Sequence, residues 1–253
     1  MVKFENTEVM GWEAAIRGMR NPLNSHSKSD SGYCMDTLAC HTCKENRNYC
    51  KKNIDNHKLI IGPNDLDLMK RLRNAGTDHR KFMRMITVYV DITAPLYWWK
   101  EFDTYKVGIV ANSCSTMHKI HAKEFMLEDF SCEHLISNWI GNNCDAMYYL
   151  EKDYPNTCVP ISPLDGLNII IGLLNSNREA YLETKDKKYW WQMIQLLPSS
   201  YNQRRTVMLN YEVLANIYKS RMNHKLDEWS VGFIDWLKTL PYHELITGEF
   251  REK

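Results

Sequence analysis

Apolar residues recur at the spacing of an amphipathic helix over most of this 253-residue chain. The helices predicted from this pattern span residues 12–19, 66–74, most of 120–150, 164–175, 178–195, 205–226 and 228–240. The predicted strands span residues 2–4, 59–61 and 86–93. The chain is therefore predicted to be mainly helical, with one β-rich region inside it.

Turn-forming residues mark the boundaries of several of these elements. In Gly62-Pro63-Asn64-Asp65, either Asn64 or Asp65 is a candidate cap for the helix that follows. Leu197-Pro198 interrupts the helical pattern before residue 205. The core candidates within 120–150 are Leu127, Phe130, Leu135, Ile136 and Trp139.

The segment His79–Lys119 concentrates side chains that suit ligand binding. Its basic cluster comprises His79, Arg80, Lys81 and Arg84. Its aromatic and charged block comprises Tyr97, Trp98, Trp99, Lys100, Glu101, Asp103, Tyr105 and Lys106. Aromatic faces beside fixed charges suit a nucleotide or flavin pocket. An edge strand followed by a helix with core aromatics explains the same pattern, and the sequence leaves both interpretations open.

Composition and charge narrow the class of protein. Apolar residues make up 44% and charged residues 25% of the chain, which is ordinary for a globular protein. The net charge of +1 gives no overall attraction to nucleic acid or to an anionic membrane. No apolar run approaches the roughly 20 residues of a spanning helix, and the N-terminus lacks a signal-peptide pattern. We therefore expect a cytoplasmic protein with reduced cysteines.

Four of the eight cysteines fall within 17 residues. They are Cys34, Cys40, Cys43 and Cys50. The C-x2-C pair can hold one metal ion from a tight turn, and the outer two cysteines could complete a tetrahedral thiolate site for structural zinc. A typical zinc site has two C-x2-C pairs, and this segment has one. Reduced thiols in a surface loop are therefore the alternative interpretation of the cluster.

Two blocks of sequence, taken together, resemble the flavin-dependent thymidylate synthases. In the first, His79 precedes the predicted strand 86–93, and Ala94-Pro95 follows it. In the second, Leu197-Pro198 leads into a segment that carries Asn210, Asn216 and Arg221 at the spacing of that family. The two blocks cover about half of the chain, and their order matches as well as their spacing.

The chain departs from the family pattern at several positions. Thr104-Tyr105-Lys106 stands where the family has Arg-His-Arg, and Glu101 falls on the family glutamine. Asn112 and Ser115 match the Asn-x-x-Ser part of the motif after one extra residue, and Met117-His118 replaces its final Arg-Tyr. Arg84 falls where the family has an acidic residue that faces flavin.

The resemblance implies roles for individual residues. Arg221 becomes the catalytic candidate, because a fixed guanidinium stabilises negative charge that develops on a pyrimidine. The implied substrate-binding residues are Asn112, Ser115, Glu101 and Lys106. The implied cofactor-binding residues are His79, Arg84, Tyr105, Asn210 and Asn216. A solvent-exposed helix arginine is the alternative interpretation of Arg221.

The resemblance also implies an architecture and an activity. It implies an α+β fold, with a central antiparallel or mixed sheet flanked by long helices, in a single domain over 1–253 with a Cys-rich insertion at about 33–51. The implied reaction is reductive methylation of dUMP, or a related C5 modification, using methylenetetrahydrofolate, reduced FAD, and NADPH or another reductant. The implied assembly is a homotetramer.

Two other function classes stay open at this stage. One is a catalytically altered or inactive homologue that acts as a nucleotide-binding or assembly protein. The other, weaker one is a zinc-dependent nucleic-acid-binding module built on the four clustered cysteines, which the near-neutral charge opposes.

Overall fold

The computed structural model describes residues 2–33, 59–137, 147–149 and 158–250. Its α-helices are α1 (Trp12–Arg20), α2 (Pro63–Asn74), α3 (Leu96–Phe102), α4 (Pro163–Thr184), α5 (Lys187–Leu196), α6 (Tyr211–Arg221), α7 (Ile234–Lys238) and α8 (Glu244–Thr247). Turns of 3-10 helix lie at Asn21–Leu23, His26–Lys28, Arg80–Met85 and Leu127–Asp129, and a π-helical turn lies at Glu228–Phe233.

The strands form one larger sheet and two small ones. They are β1 (Lys3–Met10), β2 (Gly32–Tyr33), β3 (Leu59–Ile60), β4 (Thr87–Pro95), β5 (Val110–Ser113), β6 (Met147–Tyr149), β7 (Cys158–Pro160) and β8 (Asn202–Asn210). The larger sheet has the order β1-β4-β8-β5. The pairs β2–β3 and β6–β7 are antiparallel. The predicted α+β class is confirmed. Among the described residues, none of the helices has the length and apolarity needed to cross a membrane.

The described chain forms two compact units. The first comprises the described parts of Met1–Phe4, Asp91–Thr104 and Ala111–Thr206. A buried cluster in this unit contains Ile120, Phe125, Phe130, Leu167, Leu174 and Met193. Helix α4 contributes two of these residues, and it begins at a capping box in which the Ser162 hydroxyl accepts a hydrogen bond from the Asp165 amide (3.1 Å).

The second unit comprises the described parts of Glu5–Val90, Tyr105–Val110 and Val207–Lys253. Helix α6 lies in its core, with Leu214 and Ile217 fully buried. The α6 residue Tyr211 is also fully buried, and the Trp12 ring meets it edge-on at 5.2 Å between ring centroids. The backbone N–H of Tyr211 donates to the Ile86 carbonyl (3.1 Å), which fixes the start of α6 to the start of β4.

A buried ion pair connects α1 to α2 within the second unit. The Arg20 Nε donates to Asp65 Oδ1 at 2.6 Å, and their side chains are only 4% and 0% exposed. The other carboxylate oxygen of Asp65 accepts hydrogen bonds from the hydroxyls of Ser29 (2.7 Å) and Ser31 (2.6 Å). Arg20 ends α1, whereas Ser29 and Ser31 lie in the loop before β2. The Asp65 carboxylate therefore holds both α1 and this loop against α2.

The predicted cap of α2 was wrong, because neither Asn64 nor Asp65 is the N-cap. The N-cap is Gly62, which has no side chain to cap the helix. Instead, the Asp30 carboxylate accepts from the backbone N–H groups of Asn64 (2.9 Å) and Asp65 (3.1 Å). A Cβ on Gly62 would lie 2.3 Å from the Asp30 carboxyl group, so the close approach of this loop requires glycine.

The prediction of a mostly helical segment at 120–150 was wrong. Within its described residues, the segment contains one 3-10 turn, irregular chain and strand β6. Phe130 is buried as predicted, whereas Leu127, Leu135 and Ile136 are 38%, 37% and 45% exposed. Trp139 lies outside the described residues. Ile120, Phe125 and Phe130 pack with residues of α4 and α5 from an irregular chain, so the helical period does not apply.

The predicted helix 205–226 was wrong in its first part. Residues Asn202–Asn210 form strand β8, and the helix occupies only Tyr211–Arg221. Gln203, Val207 and Leu209 are buried along this strand, which places alternate side chains on one face. Two smaller differences concern a helix boundary and a helix type, with no change from helix to strand. The two helices predicted at 164–175 and 178–195 divide at Lys185-Asp186, and the last helix, 228–240, begins as a π-helical turn.

Candidate functional site

Helix α6 follows strand β8 without a loop. Asn210 ends the strand and caps the helix, because its Oδ1 accepts a hydrogen bond from the Val213 N–H (3.0 Å). A Cβ on Gly108, whose φ is +77°, would lie 3.1 Å from the Asn210 amide nitrogen. The predicted cofactor residue Asn210 therefore has a structural task, and the chain at Gly108 passes close beside it.

An arginine cluster lies at the first turns of α6. We use this name for Arg80, Arg84, Glu212 and Asn216. Glu212 is 8% exposed and accepts from the Nε of Arg80 (3.3 Å), from the Nη2 of Arg84 (3.3 Å) and from the Arg84 Nε. Arg80 also donates from Nη2 to the Asn216 Oδ1 (3.0 Å). One buried carboxylate thus orders two arginines from the 3-10 turn Arg80–Met85 against α6.

The two arginines of this cluster differ in exposure. The Arg80 side chain is 18% exposed, and that of Arg84 is 52% exposed. The hydrogen bond to Glu212, and then the charge of the same carboxylate, raise the pKa of Arg84 above its ordinary value. Arg84, Lys81 and Asn216 are exposed. Cationic and amide N–H groups are the donor set that a phosphate-bearing ligand requires.

The last turn of α6 carries a second arrangement, which we call the aromatic clamp: Arg221 with Tyr105 and Trp229. The Arg221 Nε donates to the Tyr105 hydroxyl at 2.8 Å. The guanidinium carbon lies 5.4 Å from the Tyr105 ring centroid and 5.0 Å from that of Trp229. Both distances are within the range of cation–π attraction. The two rings meet edge-on at 6.4 Å, and Trp229 is fully buried.

The clamp gives Arg221 a defined orientation. Hydrogen bonding through Nε and two ring contacts restrict the rotamers of a long side chain, so less entropy is lost when the guanidinium meets a ligand. Arg221 is half-buried, so the interpretation of a solvated surface arginine does not fit its surroundings. His224 lies nearby, with its ring 6.4 Å from that of Trp229.

Two further predicted residues in this unit lie on the surface. His79 is exposed and precedes the 3-10 turn, where its backbone N–H donates to the Gly76 carbonyl (3.1 Å). Lys106 is exposed next to the clamp residue Tyr105 in the sequence. Two of the predicted cofactor residues, Arg84 and Asn216, are thus connected through Glu212 and Arg80. A third, Tyr105, contacts the predicted catalytic residue Arg221 directly.

The predicted substrate residues Glu101, Asn112 and Ser115 belong to the first unit. Asn112 is exposed on strand β5. The Ser115 hydroxyl accepts from the His118 N–H (3.0 Å), which is the geometry of a local turn. Glu101 lies in the last turn of α3, and its carbonyl accepts from the Thr104 hydroxyl (2.7 Å). Ser115 thus has a local partner in the turn.

The aromatic block divides between core and site. Trp98 and Trp99 are at most 1% exposed, as the core interpretation predicts, and so is the neighbouring Phe102. Trp99 also supports an ordered cation: the Arg205 guanidinium carbon lies 4.1 Å from its ring centroid. Tyr105 is the member of the block that contacts a candidate catalytic side chain.

Sequence reasoning missed Glu212 and Trp229 as site residues. Glu212 was placed in the middle of a long helix, where a glutamate needs no partner. Trp229 was not distinguished from other apolar residues of the last helix. The signal for Glu212 is its place two residues after Asn210, since an acidic residue in a first turn is favoured by the helix dipole.

Within the described residues, no group of three or more His, Cys, Asp or Glu side chains could hold a metal ion. The predicted zinc ligands Cys34, Cys40, Cys43 and Cys50 lie outside the described residues. Structural zinc at these four cysteines therefore stays a prediction.

The fold is similar to that of solved flavin-dependent thymidylate synthases. A crystal structure of thymidylate synthase X from Helicobacter pylori with FAD and dUMP superposes with a TM-score of 0.58 and 14% identity, over 98% of this chain and 96% of that chain. A second structure, of the flavin-dependent thymidylate synthase of the same organism complexed with FAD and dUMP, has the same TM-score and identity over 99% of both chains. No family model and no curated protein matches the sequence.

Proposed function

We propose that this chain is an enzyme of the flavin-dependent thymidylate synthase type, which binds FAD and modifies C5 of dUMP. The observation that carries the proposal is the end-to-end similarity to structures that hold FAD and dUMP. The aromatic clamp supports it, because Arg221, the residue with the implied catalytic role, has a guanidinium that Tyr105 and Trp229 hold in place.

In this proposal Arg221 polarises the pyrimidine. The N–H groups of its guanidinium that do not contact Tyr105 suit a carbonyl oxygen on which negative charge develops as C5 becomes nucleophilic. The clamp provides the orientation before the substrate binds, so that little reorganisation is needed in the reaction. Trp229, being buried, also keeps water from one side of the guanidinium.

The donor set of the arginine cluster fits the phosphates of a dinucleotide such as FAD. Arg84 and the amide of Asn216 from the cluster would hold the phosphates, with the exposed Lys81 and His79 as further partners from outside it. Reduced FAD would supply a hydride, and methylenetetrahydrofolate the carbon, for the methyl group of the product. NADPH or another reductant, a homotetrameric assembly and a cytoplasmic location complete the proposal.

The nucleotide-binding roles of Asn112, Ser115, Glu101 and Lys106 belong to the same proposal. Hydroxyl, amide and ammonium groups suit a phosphate or a pyrimidine edge. Alanine substitution of each, followed by calorimetric titration with dUMP, would weaken binding if the residue contacts the nucleotide.

A specific observation favours a second candidate function, a nucleotide-binding or assembly protein without flavin chemistry. Arg84 stands where the resemblance implies an acidic residue that faces flavin, and its charge is directed to Glu212. A cation at this position changes the polarity offered to the cofactor. The two functions differ in whether the purified protein retains flavin.

The test begins with the visible absorption spectrum of the protein after incubation with FAD and desalting. Retained flavin bands, followed by conversion of dUMP with methylenetetrahydrofolate and a reductant, would support the enzyme. No retained flavin together with tight dUMP binding would support the second function.

Arg221→Lys then tests the assigned catalytic role. Lysine keeps the charge but lacks the planar guanidinium that Tyr105 orients. Turnover of dUMP should therefore fall about a hundredfold, as when a preorganised donor is removed. Arg71→Lys is the matched control, because Arg71 is 69% exposed and pairs with Asp67 one helical turn away. Equal turnover by Arg221→Lys and the unaltered protein would refute the role.

A further inference from the structure

Arg80 connects a buried carboxylate to an exposed amide on the same helix. Its Nε donates to Glu212 (3.3 Å), and its Nη2 donates to the Oδ1 of Asn216 (3.0 Å). Glu212 and Asn216 are four residues apart, so they lie one above the other on one face of α6. The planar fork of a guanidinium contacts both from two nitrogens in a fixed geometry, which an ammonium group does not provide.

The contact fixes which end of the Asn216 amide faces outward. An arginine side chain carries only donors, so the atom that Asn216 turns toward it is the oxygen. The NH2 group of the amide is then directed away from Arg80. Because Asn216 is exposed, these two N–H donors are offered to a ligand.

We infer that Arg80 is a positioning residue, which holds Asn216 so that its Nδ2 donates to an acceptor atom of bound FAD. The inference rests on the proposed function and adds the polarity of the contact: the ligand atom at this place is an oxygen or an unprotonated ring nitrogen, and never a donor. Glu212 acts one step further back, by holding Arg80 in place.

The buried position of Glu212 explains why this orientation is stable. Its carboxylate is 8% exposed and is compensated by two guanidinium groups, so moving Arg80 toward solvent would leave a buried charge with one partner fewer. Arg80 itself is mostly buried, at 18% exposure. The amide of Asn216 is therefore set by a group that has little freedom to move.

Asn216→Asp separates the two functions of the side chain. A carboxylate keeps the acceptor for Arg80 and strengthens it into an ion pair, but it has no donor for the ligand. We expect the melting temperature to stay the same or to rise, while the dissociation constant for FAD, measured by quenching of flavin fluorescence, weakens about tenfold or more. Asn74→Asp is the matched control, because Asn74 is exposed and likewise accepts from an arginine, Arg73 (3.2 Å).

A double-mutant cycle tests whether Arg80 acts through Asn216. Arg80→Lys and Asn216→Ala should each weaken FAD binding several-fold, and the two together should weaken it little more than the stronger of them. Additive effects, or an unchanged FAD dissociation constant for Asn216→Asp, would overturn the inference and leave the proposed function intact. Failure of the unaltered protein to bind FAD would instead overturn the proposed function and the inference with it.

Discussion

Replacing Asp65 by asparagine should destabilise the protein far more than a typical surface substitution. Asp65 is fully buried and accepts from Arg20 (2.6 Å), from the hydroxyls of Ser29 (2.7 Å) and Ser31 (2.6 Å), and from the backbone N–H of Ser31 (3.0 Å). Asparagine would leave the buried Arg20 without a counter-charge and would turn an NH2 group toward other donors. Breaking a buried pair in this way costs about 3–5 kcal/mol.

Asp67→Asn is the matched control for this measurement. Asp67 lies on the same helix, is 64% exposed and pairs with Arg71 at 2.9 Å, so its loss should change the free energy of unfolding by about 0.5 kcal/mol or less. Urea unfolding followed by circular dichroism would give both values. Equal destabilisation by Asp65→Asn and Asp67→Asn would refute the reasoning.

The same carboxylate should make stability depend on pH. Burial opposes ionisation of Asp65, but the hydrogen bonds from Ser31, Ser29 and Arg20 and the charge of Arg20 together hold its pKa below the ordinary value. A lowered pKa in the folded state contributes stability above the unfolded-state pKa of about 4, and that contribution is lost as the pH falls through the folded value. The cost of Asp65→Asn should therefore shrink in unfolding measurements made progressively below pH about 4.

Other perturbations probe the helix that carries the site. Tyr105→Phe keeps the ring of the clamp but removes the hydroxyl that accepts from Arg221, so dUMP turnover should fall about three- to tenfold with little change in melting temperature, whereas Tyr89→Phe, on an exposed strand residue, should leave both unchanged. Burial, and then the hydrogen bond that its hydroxyl donates to Glu249 (2.5 Å), raise the pKa of Tyr218 to about 12. The stability from this raised pKa is present below pH about 10 and is lost between about 10 and 12. In alkaline difference spectra, Tyr218→Phe should lack one phenol that titrates late in the unaltered protein. Identical titration curves for the two proteins would contradict the assignment.

The sequence predicted the elements in which one period dominates. Helix α1 begins at Trp12 as predicted, because its apolar residues keep one face over two turns. Strand β8 was missed, since Arg205, Met208 and Leu209 are all good helix formers and precede a true helix. Gln203, Val207 and Leu209 are buried on one face because β8 pairs with neighbouring strands of the sheet. This tertiary pairing overrides the helix propensity of the segment, so the strand is recognised only when its neighbours are known.

The candidate site was predicted only where one segment contains the whole signal. The spacing of Asn210, Asn216 and Arg221 lies within twelve residues and was recognised through the family resemblance. The partners of these residues lie far away in the chain: Arg80 is 136 residues from Asn216, and Tyr105 is 116 residues from Arg221. Such pairs are brought together by the tertiary fold, so the spacing of residue types within one segment does not reveal them.

Because strand β8 passes directly into α6 at Asn210, the number of residues in α6 determines where Arg221 lies. With about 1.5 Å of rise and 100° of rotation per residue, the position of Arg221 follows from counting eleven residues from the cap. One residue inserted within the helix would turn Arg221 by about 100° away from Tyr105, even though every side chain of the clamp remained in the sequence. A change in the length of α6 therefore displaces Arg221 from Tyr105 by rotation, by rise or by both, and single-residue insertions and deletions along α6 should lower dUMP turnover wherever they fall in the helix.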